Sequence, residues 1–166
     1  MALPILTWPD PRLTTPCAPA VLSDELRDVA GEMLETMYQA QGRGLAAPQV
    51  GHQVRLFVMD VTWKEGRPSP VVMVNPEILS ASEDRAVGPE GCLSIPGPIT
   101  LVERAREVRM RWTNLEGGLQ EASLTGMAAI CAQHEYDHLD GVLTLDHLSD
   151  AARAVALAEF EAGGAA

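Results

Sequence analysis

The stretch Met127 to Leu139 constrains this chain more than any other. It opens with the apolar residues Met127, Ala128, Ile130 and Cys131 and runs into Gln133-His134-Glu135-Tyr136-Asp137-His138, with Gly141 as the next breaker. That pattern predicts a helix from about Gly126 to Leu139 whose apolar start packs into a core, which carries the polar turns inward with it. Residues four apart share a helix face, so His134 and His138 can grip one metal ion. Glu135 stands beside the first of them, within reach of a metal-bound water without being a ligand. An exposed polar helix turn is the plain alternative. Burial counts against it, because each unsatisfied buried polar group costs roughly 1–3 kcal/mol and a cation removes that penalty.

The rest of the chain supplies the frame. Leu26, Val29, Met33, Leu34 and Met37 recur at helical spacing, predicting a helix from Asp24 to Gln41 with Ser23 as cap, Asp24 and Glu25 at its positive end and Gly42 as its stop. Gln53 to Val61 and Val71 to Val74 read as strands, the second ended by Asn75-Pro76. In Glu107 to Thr113, Val108, Met110 and Trp112 alternate with Arg109 and Arg111, the mark of a half-buried strand. Glu116-Gly117-Gly118 turns the chain into another strand, Leu119 to Ala122, and a third short helix follows from Ser149 to Phe160. Helix, then strands, then helix indicates an antiparallel α+β fold. The 166 residues suit one domain, so residues 1–166 are read as a single unit with Ala162 to Ala166 as a frayed tail.

Composition excludes several classes. Hydrophobic content of 46% with 21% charged residues is not that of a disordered chain. A net charge of −11 opposes stable binding to nucleic acid or anionic membranes, and strand alternation divides Arg104, Arg106, Arg109 and Arg111 between faces. No apolar run approaches the roughly 20 residues of a membrane span, and Met1 to Trp8 does not read as a secretory signal. Cys17, Cys92 and Cys131 are few and widely spaced, which fits reduced thiols in the cytoplasm. Cys17 and Cys131 read as small buried hydrophobes.

Two His leave a ligand to find, since a catalytic site usually has three protein ligands and one open position. A third His in the metzincin position is ruled out, because Thr144 stands there and His147 falls three residues late. Glu159 has the spacing of a thermolysin-like third ligand, although it lies close to the tail. Cys92, in Glu90-Gly91-Cys92-Leu93-Ser94, is the remaining candidate.

Three segments taken together, Gly42-Arg43-Gly44-Leu45-Ala46-Ala47-Pro48-Gln49, Glu90-Gly91-Cys92-Leu93-Ser94 and Gln133-His134-Glu135-Tyr136-Asp137-His138, resemble in order and spacing the three motifs of the peptide deformylases. The likeness extends from about Leu3 to Leu148. It implies antiparallel sheets packed around a central H-E-x-x-H helix, and hydrolysis of the N-formyl group from the initiator methionine of newly made polypeptides. Carried over, Cys92, His134 and His138 are the metal ligands, with water in the fourth position. The expected ion is ferrous iron, and zinc, nickel or cobalt suit the same donors. The cation makes its water a hydroxide near neutral pH, Glu135 takes and returns the proton, and the Gln49 amide with the Leu93 N–H steadies the developing oxyanion. Gly44 and Gly91 let an extended peptide come close to the backbone.

This chain departs from the family pattern at Arg43, where an aliphatic residue is usual, at Gly88 before the second motif, and at Ile99, where many members carry a substrate-contacting Arg. None touches the metal, so altered peptide selectivity is the expected consequence. With Arg43, Gly44 and Gly91 as substrate-binding residues, Arg43 either snorkels outward or places a cation at the pocket mouth. A monomer or weak oligomer is expected. Ser149 to Ala166 holds Arg153 against Asp150, Glu159 and Glu161, so this tail is not expected to dock on ribosomal RNA.

Overall fold

The structure, a computed structural model, describes residues 2–164. Three helices, α1 (Asp24–Gln39), α2 (Gly126–Leu139) and α3 (Asp150–Gly164), accompany seven strands. These are β1 (Gly44–Ala46), β2 (Leu56–Met59), β3 (Val71–Ala81), β4 (Arg85–Cys92), β5 (Ile95–Ala105), β6 (Glu107–Thr113) and β7 (Leu119–Thr125). Five strands form an antiparallel sheet in the order β1-β2-β3-β6-β7, and β4 and β5 form a separate antiparallel pair. The α+β expectation holds.

Strand alternation builds two cores, one on each face of the large sheet. Phe57, Met73 and Met110 turn towards α2 and pack with Cys131, Ala132 and Leu139. Leu56, Val58 and Val74 turn the other way, onto Met33 and Met37 of α1 with Leu45. Burying each such side chain is worth roughly 1.5–3 kcal/mol, which fixes the register of β2 between two helices. A third cluster, Leu13, Ile95, Leu143, Leu145 and Ala156, seats α3 against the start of β5.

Local chemistry explains where elements begin and end. The Ser23 hydroxyl accepts a hydrogen bond from the Leu26 N–H at 3.0 Å, capping α1 as its sequence suggests. The helix then stops two residues short of Gln41. Gln41, not Gly42, takes the left-handed backbone with φ 59, and its N–H bonds the Tyr38 carbonyl while that of Gly42 bonds the Met37 carbonyl. Gly42 serves packing instead, since a Cβ there would lie 2.9 Å from Leu93 Cδ1.

β3 does not end at Asn75-Pro76. Its register shifts between Val74 and Glu77, Asn75 takes φ 49, and the Asn75 amide exchanges two hydrogen bonds with the Ala20 backbone. A bulge tolerates the proline, so the strand continues. β2 is shorter than expected and β7 runs on to Thr125. α3 continues through Gly163 instead of stopping before it, because glycine weakens a helix by about 1 kcal/mol without forbidding it. The expected frayed tail is therefore helical as far as Gly164, and its last two residues lie outside those described.

Candidate metal centre and its cleft

α2 spans Gly126–Leu139, as its sequence predicts, and lies against the large sheet with β5 beside it. Met127 at its start is 50% exposed, contrary to the expectation of burial, and lines a cleft with Ile130. The later turns are the buried ones: Glu135 and His138 are 4% and 1% exposed. β4 brings Cys92 to the same place from far along the chain. One ligand atom each from Cys92, His134 and His138 lie within 4.8 Å of one another, and Cys92 Sγ is 3.6 Å from His138 Nε2. Glu159 is exposed on α3 and outside this group, so the thermolysin-like reading is not supported.

The donors fit a divalent cation. A thiolate and two imidazoles turned towards one point suit several first-row ions. Burial pushes the His138 pKa down and so keeps this ring neutral, as a ligand must be. His134 is oriented from behind: its Nδ1 lies 2.9 Å from Glu90 Oε1, which directs Nε2 towards the other donors. Burial opposes charge on His134, but Glu135, Cys92 and Glu90 outweigh it and raise its pKa.

Behind Glu90 stands a network that sequence reasoning missed. Arg104 donates to both Glu90 oxygens at 2.9 Å and to Asp137 Oδ2 at 2.6 Å, and His147 Nε2 lies 2.8 Å from that same Asp137 oxygen. Arg104 is only 5% exposed, which for an Arg demands carboxylate partners. Its signal was present in the sequence as an Arg between Val102 and Ala105 in a buried strand. It went unread because Gly88, Pro89, Pro96, Gly97 and Pro98 disguise β4 and β5 as loops.

Glu135 carries the most informative geometry. Its Oε1 is buried without a hydrogen-bond partner among the described residues. Burial pushes its pKa up to about 7; His134 and Arg104 pull down, and Glu90 and Asp137 push up. Gly44 makes room for this carboxylate, since a Cβ at that position would lie 2.6 Å from Glu135 Oε2 and 2.8 Å from Cys131 Sγ. The glycine thus accommodates side chains, where the sequence suggested backbone approach. A Cβ at Gly91 likewise meets a side chain, Ile99 Cδ1, at 3.3 Å.

Gln49 is 2% exposed, and the Ala46 N–H fixes its Oε1 at 2.9 Å. Its Nε2 therefore points to Ser94 Oγ at 3.0 Å and to Cys92 Sγ at 3.7 Å. Ser94 is a further partner that the sequence did not mark. Leu93 occupies the turn between β4 and β5, beside Cys92. Cleft walls of Arg43, Gly44, Gly91, Ile99 and Met127 enclose about 460 Å³ over this centre. Gly88 in β4 has open space around it. Cys131 is buried, and burial raises its pKa, which keeps the thiol inert.

The sequence pattern described as polypeptide deformylase matches residues 2–154. The chain belongs to the peptide deformylase family. It is 52% identical over 152 residues to the peptide deformylase of Alkalilimnicola ehrlichii, covering 91% of this chain and 84% of that one. A Rhodopseudomonas palustris peptide deformylase is 47% identical, with 95% and 91% covered. Among solved structures, the Legionella pneumophila peptide deformylase superposes with a TM-score of 0.93 at 36% identity, over 99% of this chain and 96% of that one. A class I type b peptide deformylase from Acinetobacter baumannii bound to Met-Ala-Ser gives 0.83 at 34% identity, over 89% and 99%. Deformylase-family membership makes this chain a metal-dependent hydrolase, with Cys92, His134 and His138 as a possible ligand group.

Proposed function

We propose that the cleft removes the formyl group from formyl-methionyl peptides as nascent chains emerge, with Cys92, His134 and His138 holding one ferrous ion. The observation that carries this reading is the buried, unpartnered Glu135 Oε1 beside a thiol and two imidazoles. A divalent ion bound there supplies Lewis-acid chemistry and makes water acidic near neutral pH. Zinc, nickel and cobalt suit the same donors.

The chain's own groups do the rest. Glu135, with a pKa near 7, accepts the water's proton and delivers it to the leaving amine. The Gln49 Nε2–H and Leu93 N–H donate to the formyl oxygen as its carbon becomes tetrahedral and the oxygen gains charge. Because the Ala46 N–H already holds the other end of the Gln49 amide, this donor is preorganised. Glu90, held by Arg104, keeps His134 in its orientation. Gly44 and Gly91 stand on the two walls, where an extended peptide lies between β1 and the β4–β5 pair. The Met-Ala-Ser bound by the Acinetobacter baumannii relative supports a peptide of this kind.

The remaining expectations belong to the same reading: residues 1–166 act as one catalytic domain, as a monomer or weak oligomer in the cytoplasm. Among the described residues no helix is long and apolar enough to cross a membrane. Arg104, Arg106, Arg109 and Arg111 are each ion-paired, which supports the absence of stable nucleic-acid binding. Ala156, Leu157 and Phe160 of α3 are packed on the protein's own third cluster, which supports a tail that is no ribosome anchor.

Protein purified without oxygen should contain close to one ion per chain and release formate from formyl-Met-Ala-Ser. A fully loaded protein inert on formyl-methionyl peptides would overturn the reading.

A further inference from the structure

The reacting groups leave two cations of the cleft unused. Arg43 and Lys64 both line it, Arg43 half-buried beside β1 and Lys64 exposed in the turn Trp63–Glu65. Among the described residues neither has a carboxylate partner, and that is unusual in this protein. Of its 12 basic side chains, all the others except Arg67 are ion-paired. Arg67 lies in the same loop as Lys64, its N–H bonded to the Thr62 carbonyl at 3.3 Å. In a chain of net charge −11, the uncommitted positive charge is thus gathered around Arg43 and the loop that follows Thr62.

The loop is held to the site. The Trp63 indole N–H donates to the Gly42 carbonyl at 2.9 Å, and the Trp63 ring meets Tyr38 edge-on at 5.2 Å. The Tyr38 hydroxyl donates to Asp60 Oδ2 at 2.6 Å, and Asp60 Oδ2 also accepts the Ser69 N–H at 3.0 Å. The Asp60 N–H in turn donates to the Arg43 carbonyl at 2.8 Å. These bonds hold the loop that carries Lys64 against the backbone of Gly42 and Arg43. Asp60 takes its hydrogen bonds from Tyr38, Thr62 and Ser69, with no ion pair to either cation among the described residues. The Lys64 ammonium lies over the Trp63 ring at 5.8 Å. Glu90 on the facing wall is committed to Arg104 and His134. An anionic group that enters the cleft would therefore meet two cations not already engaged by a carboxylate among the described residues.

We infer that Arg43 and Lys64 form a cationic subsite for an Asp or Glu side chain at the second or third residue of the formylated peptide. This rests on the proposed deformylation, which places the formyl end at the metal ligands and leads the peptide outward past β1. Successive residues of an extended peptide advance about 3.3 Å, so a side chain one or two residues beyond the methionine comes to the rim. The acidic surface as a whole repels such a peptide, but salt screens charges beyond roughly 8 Å and leaves the two nearby cations to decide.

The test compares kcat/KM of the metal-loaded enzyme on formyl-Met-Ala-Ser, formyl-Met-Glu-Ser, formyl-Met-Ala-Glu and formyl-Met-Lys-Ser, each amidated so that only side-chain charge differs. Binding of the unformylated peptides is measured in parallel by calorimetry. Glu at one of the two positions should be favoured over Ala by about tenfold, the size expected of two partly screened charge pairs, and Lys disfavoured. The preference should shrink in roughly 0.5 M salt. Arg43→Gln should remove most of it, and the exposed Lys64→Glu, which leaves the buried structure alone, should reverse it. Efficient deformylation with no charge preference would overturn the subsite and keep the deformylase reading. Charge-selective peptide binding without deformylation would keep the subsite and overturn that reading. Failure of both measurements would sink both.

Discussion

The metal centre and the rim of the cleft above it handle charge in opposite ways. At the centre nearly every polar group is committed: Arg104 to Glu90 and Asp137, Glu90 to His134, Gln49 to Ala46 and Ser94. The exceptions at the centre, among the described residues, are His138 Nδ1 and Glu135 Oε1, the latter the proposed proton acceptor. At the rim, Arg43 and Lys64 have no carboxylate partner among the described residues and line the cleft. Chemistry requires donors fixed before the substrate arrives, whereas selectivity requires groups that stay unsatisfied until it does. The rim cations are therefore assigned to substrate charge, whereas Gln49, fixed at Oε1 by the Ala46 N–H, is a donor set before substrate arrives.

Removing groups from the centre should break this contrast most visibly. Glu135→Gln keeps the size of the side chain but cannot accept the proton, so kcat should fall by ~10²–10⁴ while metal content stays near that of the parent. Near-normal turnover would exclude Glu135 as the proton carrier. Cys92→Ala, His134→Ala and His138→Ala should each lose most bound metal; full occupancy in Cys92→Ala would remove it from the ligand set. Next in size is Arg104→Met, which leaves the buried Glu90 and the half-buried Asp137 without their shared cation. Stability should drop by roughly 3–5 kcal/mol in urea unfolding, and metal affinity by about 10–100-fold through the loosened His134. A stable variant with normal metal affinity would show that the network does not orient the site.

Gly44→Ala probes the boundary between the two regions. Its Cβ would press on Glu135 Oε2 and Cys131 Sγ, and overpacking of this kind typically costs about 1–3 kcal/mol. Activity should fall with metal content retained; an unaffected variant would mean the walls yield easily. Acid titration sharpens the electrostatic side. Burial opposes ionisation of Glu90, but hydrogen bonds from His134 and Arg104, with the charge of Arg104, hold its pKa at about 2 against an ordinary 4.5. A folded pKa below the unfolded one adds stability that is complete above about 4.5 and is lost as pH falls towards about 2. The melting temperature should decline across that window, and less steeply in Glu90→Gln. An identical decline in both proteins would assign acid unfolding to other carboxylates. Smallest of all, deletion of Ala162 to Ala166 should leave turnover of short formyl peptides unchanged, and loss of activity would tie this end of α3 to the site.

Legibility followed the range of the interactions. The cap at Ser23, the span of α2, the alternation of β6 and the paired histidines are set by residues within a turn or two of each other, so they can be read along the chain. Arg43 was visible as an oddity in the first motif, although not together with Lys64, which shares its cleft because the Trp63 bond to Gly42 ties the two segments. The β4–β5 pair was hidden: its prolines and glycines read as loop, and only pairing with one another makes them strands. What lay outside any local reading was the meeting of Cys92 with His138, 46 residues away, of Gln49 with Ser94, 45 away, and of Arg104 with Asp137, 33 away. The residue types at these positions are written in the chain. Their convergence is decided by a sheet and a central helix that must bury their apolar faces together, and that burial is a property of the whole fold.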